Sequence, residues 1–240
     1  MIEEYKLMMG INLPIAPKIE LVHPTVKQVF EIGENEYFGH ISSFVATPSD
    51  LKVELDDAGI NFEEITDWNL FVYRLPSFQN SIMAEMIRGF DLSRAHPLVG
   101  DTGEIIIFDP VTMAVLDEAH HRILCEYIRA IHGLRRNVEI YGNEFTRKMV
   151  IEIERDTRKH KAYKASEPFL MNYVSALINC SESKYDYHNI WDVPFYVFMD
   201  AVRRVQKVME FKGLMSGMYS GMVDIKKIDM NKMSWIGKLD

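Results

Sequence analysis

Cys125 and Cys180 are the only cysteines among 240 residues, and each sits inside an apolar stretch. Two such thiols suit a reducing compartment and leave no material for a disulfide framework. Long hydrophobic runs are also missing, and none approaches the roughly 20 apolar residues that span a bilayer. The opening Met1-Ile-Glu-Glu-Tyr is acidic where a secretory leader would be basic. Together these absences lead to the expectation of a cytoplasmic protein with no membrane partner. Positive charge is short as well: the net charge of -8 argues against general binding to duplex nucleic acid, which needs a cationic surplus.

Catalytic signatures are equally scarce. The chain has no G-x-x-x-x-G-K-[ST] loop to cradle a nucleoside triphosphate and no G-x-G-x-x-G dinucleotide turn. It also has no G-x-S-x-G elbow and no H-E-x-x-H helix. The expectation is therefore a protein that is not an enzyme and carries no cofactor.

What is present is ordinary globular material, 48% hydrophobic and 26% charged, enough for one large domain or two small ones. Pro14 and Pro17 among short apolar pieces predict an extended arm over residues 1–23. Helices are predicted from Pro24 to Gly33, from Glu34 to Val45, and from a Ser49 cap to Gly59. A further short helix, capped by Thr66 or Asp67, carries Trp68, Leu70 and Phe71 up to Pro76, and another piece runs from Ser81 to Ile87. Residues 89–103 read as loop. Glu104-Ile-Ile-Ile-Phe-Asp, Pro110-Val-Thr and Met113-Ala-Val-Leu read as a hairpin. A helix then carries Leu116, Ala119, Ile123, Leu124, Tyr127, Ile128 and Ile131 to a stop at Gly133.

Residues 144–165 predict a long charged helix, with Glu154 and Arg158 correctly placed for an i,i+4 pair. Ser166 is a candidate cap for an apolar helix bearing Leu170, Val174 and Leu177. Asp192 with Pro194 opens the most amphipathic segment, with Phe195, Phe198, Met199, Val202 and Val205 on one stripe. No long Ser/Gly linker or internal repeat interrupts the chain. The expected fold is mainly α with a small β-hairpin (α+β), its helical N-terminal and C-terminal parts sharing a core. The expected regions are 1–100, an arm and helices; 101–146, the hairpin and its helix; and 147–240, helices with a tail over 222–240.

Several constellations could carry chemistry. Asp117, His121 and Cys125 fall at i, i+4 and i+8, with Glu118 and His120 beside them, all of them metal-ligand types. No matching pair occurs elsewhere, so a packed or solvated helix face is the reading adopted and no metal ligands are assigned. Cys125 reads as a structural thiol, because a nucleophile needs an adjacent base and a lowered pKa. Asp101, Asp109, Asp117 and Glu118 flank the hairpin but lack the lysine of a nuclease site. Arg155 to Lys164, and Arg203-Arg204 with Lys207, read as solvated faces because acids are interleaved. Gly213, Gly217 and Gly221 are either a smooth strip for close packing of another element or an irregular turn.

A resemblance to a known group spans most of residues 11–240. Tyr185-Asp-Tyr-His-Asn-Ile-Trp-Asp-Val-Pro-Phe-Tyr-Val-Phe-Met-Asp-Ala-Val-Arg-Arg-Val-Gln, Leu214-Met-Ser-Gly-Met-Tyr-Ser-Gly and Met233-Ser-Trp-Ile-Gly-Lys-Leu resemble morphogenesis proteins of tailed phages and prophages. Phe44-Val-Ala-Thr-Pro-Ser-Asp-Leu, Thr66-Asp-Trp-Asn-Leu-Phe and the hairpin near Phe108-Asp-Pro are similar to the same group. The resemblance implies a tail-assembly chaperone or a related tail or baseplate component. Its partners would be tape-measure or tail-tube protein, or neighbouring virion subunits. Its place would be the host cytoplasm during assembly, or the virion. Oligomeric state is left open. A groove formed by Trp191, Phe195, Phe198, Met215, Met218 and Tyr219, with Trp235 as an anchor in the tail, is the expected partner surface.

Overall fold

A computed structural model describes residues 3–79, 81–100, 103–161, 167–222, 228–229 and 234–237. Its architecture is α+β, mainly helical, with two small three-stranded antiparallel sheets. The chain divides into two compact units. The first comprises Met1–Pro24 and Ile32–Glu167, and the second Thr25–Glu31 and Pro168–Asp240.

The first unit opens with helix α1 (Glu4–Met9), followed by strands β1 (Leu13–Ala16) and β2 (Ile19–Leu21). The predicted extended arm is corrected here: Leu13, Ile15, Ile19 and Leu21 alternate inward and are buried, so residues 13–21 form a hairpin. Its turn, Pro17-Lys18, uses a left-handed Lys18 (φ 71°). Strand β3 (Ile87–Arg88) completes this sheet on the β2 side. Beyond β3, Gly89 (φ 82°) passes so close to the turn that an added Cβ would stand 1.9 Å from the Lys18 carbonyl oxygen. Only glycine meets both demands there.

Helices α3 (Glu34–Phe44), α4 (Lys52–Asp57), α5 (Asp67–Arg74) and α6 (Met83–Met86) follow the predicted order. Thr66 caps α5 by accepting from the Asn69 N–H at 3.1 Å. Pro76 does not end the helical path but tightens it into a 3₁₀ turn, Leu75–Phe78. The predicted Ser49 cap is corrected: Thr47 and Asp50 bond reciprocally ahead of α4, while Ser49 Oγ accepts from the Glu139 N–H.

The second sheet holds β4 (His96–Val99), β5 (Ile105–Asp109) and β6 (Ala114–Leu116) in that order. The hairpin β5–β6 agrees with the sequence reading. Strand β4, which pairs with β5 from His96↔Phe108 to Val99↔Ile105, replaces part of the expected loop. Pro97 in its middle hid it, since proline is confined to sheet edges and β4 is an edge. Helix α7 (Glu118–His132) is capped by Asp117, which accepts from the His120 N–H at 2.8 Å, and stops at left-handed Gly133.

Helix α8 (Glu144–Lys161) lies against α4. Ile151 enters a buried cluster with Val53, Leu55, Phe62 and Leu70. Around it, Arg155 reaches Asp56 and Asp57, and Arg158 reaches Glu54 at 2.6 Å. The two arginines of the basic run are thus turned onto acids of α4, while Lys159 stays exposed and pairs with Asp156 of its own helix.

The second unit contains most of α2 (Val26–Ile32), together with α9 (Leu170–Asn179) and α10 (Phe195–Tyr219). The expected Ser166 cap lies outside the described residues. Leu170, Val174 and Leu177 of α9, with Ile190, Phe195, Phe198 and Val202, are buried as their spacing required.

Candidate partner surface and the clefts

α10 is the longest helix described, and its two halves differ. Val26 N–H donates to Val193 O at 3.0 Å, and Thr25 bridges to Pro194 at its start. Phe195 and Phe198 are fully buried with ring centroids 6.2 Å apart, and Trp191 is half-buried edge-on to Phe30 at 5.6 Å. After Val202 no described residue of the helix is fully buried. Met209 (54% exposed), Tyr219 (84%) and the following Met222 (86%) stand in solvent, while Met215 and Met218 are half-buried.

This corrects the single groove expected from sequence. Phe198 and Met215 are 17 residues apart on one helix, about 26 Å at 1.5 Å per residue. Phe195 and Phe198 are core residues that offer no surface, and Trp191 belongs to their end. Met215, Met218 and Tyr219 form a separate place at the other end.

Trp235 is 42% exposed, and its short segment returns to the middle of α10. Arg204 Nη1 donates to the carbonyls of Trp235 at 2.7 Å and Gly237 at 2.8 Å. No sequence signal marks that clasp, because donor and acceptors lie more than 30 residues apart. Ile225 and Met233 of the tail lie outside the described residues.

The glycines divide likewise. Gly213 and Gly217 are helical, and nothing lies within 4 Å of a Cβ built on Gly213. Gly221 (φ 73°) instead ends the helix: its N–H donates to Met218 O, and Met222 N–H donates to Gly217 O. That paired closure is a Schellman cap. Gly221 is therefore a cap and not part of a packing strip, and no other element of the chain packs against Gly213 among the described residues.

In the first unit, His121 and Cys125, but not Asp117, line a cleft of about 810 Å³. Asp117 is engaged as a cap. His121 Nε2 lies 3.3 Å from Cys125 Sγ, and its ring rests on Phe71 with centroids 4.2 Å apart. Burial pushes the Cys125 thiol up to about 12 and the His121 imidazole down to about 4. At neutral pH both groups are neutral, the opposite of a thiolate–imidazolium pair. Asp109 is equally engaged: Arg94 Nε, the Val111 N–H and Thr112 Oγ1 donate to its carboxylate, and the Arg94 hydrogen bond above all holds it well below the usual carboxylate range. Asp101 lies outside the described residues. Among the described residues no group of three or more His, Cys, Asp or Glu side chains is placed to hold a metal. No helix among them is long and apolar enough to cross a membrane.

Residues 159–240 match the family model described as the YomV second domain. The match covers α9, α10 and the tail, and it points to a phage-derived chain. No curated protein and no solved structure matches the chain.

Proposed function

We propose that this is a phage tail morphogenesis protein of the tail-assembly chaperone type, which acts by binding other tail proteins and not by catalysis. One observation carries the reading. The segment matching a phage family model also holds the second half of α10 and the residues just past it, where Met209, Tyr219 and Met222 are exposed. Methionine and tyrosine exposed on a helix suit adaptable packing against the apolar face of a partner helix. A tape-measure chain, long and helical, presents such faces until the tube encloses it.

The test is co-expression with the neighbouring tail genes, affinity capture, and mass spectrometry of both lysate and finished particles. A chaperone holds tape-measure or tube protein in lysate and is missing from particles. Retention in particles at fixed stoichiometry would instead make it a structural subunit of the tail, baseplate or neck. Changing Met209, Tyr219 and Met222 together to serine should reduce capture at least tenfold without altering the urea unfolding curve. Undiminished capture would move the binding surface elsewhere.

A further inference from the structure

We propose that the first unit contains an oxyanion-binding pocket built on Arg74, Arg129 and Arg135, for a ligand that presents a carboxylate or phosphate group. The pocket, about 460 Å³, lies at the C-terminal end of α3 and is bordered also by Ser42, Ser43 and Asp50. Its charge is unusual for an acidic protein. None of the three guanidinium groups pairs with a carboxylate among the described residues, whereas Arg94, Arg136, Arg147, Arg155 and Arg158 all do.

Two of these cations are held by backbone. Arg74 Nη1 donates to Ser43 O and Nη2 to Ser43 Oγ, each at 2.7 Å, beneath a ring contact with Phe78. Arg129, buried on α7, donates from Nη2 to Val45 O at 2.5 Å. Those bonds satisfy the last carbonyls of α3, a role that explains one edge of each guanidinium and fits the helix dipole. They leave further N–H donors on both groups. Arg74 is half-buried and feels the charge of Glu54, but Arg129 is buried with no ion pair among the described residues, and an incoming anion relieves the cost of that arrangement.

Arg135 is different. It is exposed, just past the end of α7, and makes no hydrogen bond or ion pair among the described residues. It stands where it can close over a ligand already fixed by the other two. The acid at the rim, Asp50, is occupied: Thr47 N–H and Oγ1 donate to Oδ2, and Asn137 Nδ2 donates to Oδ1. The remaining walls are apolar (Val45, Ala46, Leu51 and Leu134), which strengthens charge-assisted bonds to an oxyanion. Planar guanidinium forks match both carboxylate and phosphate oxygens. The pocket is independent of the surface on α10, so its failure would leave the tail-protein reading untouched.

The experiment is thermal unfolding and calorimetry of the full chain with inorganic phosphate and, separately, acetate. Ionic strength is held constant with chloride. Saturable stabilisation by phosphate, by acetate or by both is expected, and the pattern identifies the oxyanion. Arg135→Ala should weaken that binding about tenfold while leaving the ligand-free unfolding temperature unchanged, and Arg135→Lys should recover part of it. Arg129→Leu is a poorer probe because it also removes a cap from α3. Stabilisation no greater than that given by chloride, or an unchanged response in Arg135→Ala, overturns the proposal.

Discussion

At the scale of residues, the most consequential groups are three enclosed histidines, His23 and His121 buried and His132 partly so. His132 Nδ1 donates to Ile128 O at 2.6 Å, so Nε2 is left to accept the Tyr37 hydroxyl, also at 2.6 Å. A second proton on that ring would require the Tyr37 hydroxyl to turn and accept instead of donating. His23 has no partner for either ring nitrogen, and His121 is enclosed by Phe71 and Trp68. Burial above all lowers each from 6.5 to about 4. Between those values the unfolded chain holds protons that the folded chain refuses. Stability is therefore full above about pH 6.5 and declines as pH falls towards 4, each histidine adding a slope of about 1.4 kcal/mol per pH unit in that window. Urea midpoints measured from pH 7.5 to 4.5 should fall steadily. A flat profile down to pH 5 would mean that these rings are charged, or unburied, in the native state.

At the scale of elements, α10 offers a paired test. Gly221→Ala places a Cβ on a residue with φ 73° and should weaken the helix end by about 1 kcal/mol. Gly213→Ala meets nothing within 4 Å and should stabilise the helix by about 1 kcal/mol. If Gly213 instead serves a partner's close approach, the same change would raise stability and reduce capture. Equal and opposite-to-expected effects in circular dichroism melts would refute the assignment of cap and strip. Local signals of this sort are what the sequence displayed well. Thr66 and Gly133 act within a few residues of themselves, so those two helix ends could be read from sequence, whereas Asp117, taken there as part of a helix face, is the cap that precedes α7. The hairpin β5–β6 was legible for the same reason. β1, β3 and β4 were not, because Pro14 and Pro97 disguise two of them and β3 exists only through pairing with β2, more than 60 residues away in the chain. The arginine pocket was invisible on similar grounds: Arg74 and Arg129 join through α3 carbonyls 31 and 84 positions away.

At the scale of the whole molecule, the second unit is not contiguous in sequence: residues Thr25–Glu31 belong with Pro168–Asp240. The family match, residues 159–240, therefore covers most of that unit but omits α2. The omission has physical content. α2 brings the fully buried Val26 and Val29, the ring of Phe30 edge-on to Trp191, and the Val26 N–H bond to Val193 O. Removing two buried valines and an aromatic forfeits about 1.5–3 kcal/mol for each side chain that loses its burial, a large share of the stability of a small domain. A fragment of residues 159–240 expressed alone should keep much of its helix but lose a sharp unfolding transition. A synthetic peptide covering residues 24–33 should restore that transition, with saturation, and a peptide carrying Val29→Ser and Phe30→Ser should not. Far-ultraviolet dichroism with urea titration reads both quantities. A fragment that unfolds cooperatively by itself and ignores the peptide would show that the C-terminal helices form a self-sufficient domain, to which α2 is only an accessory.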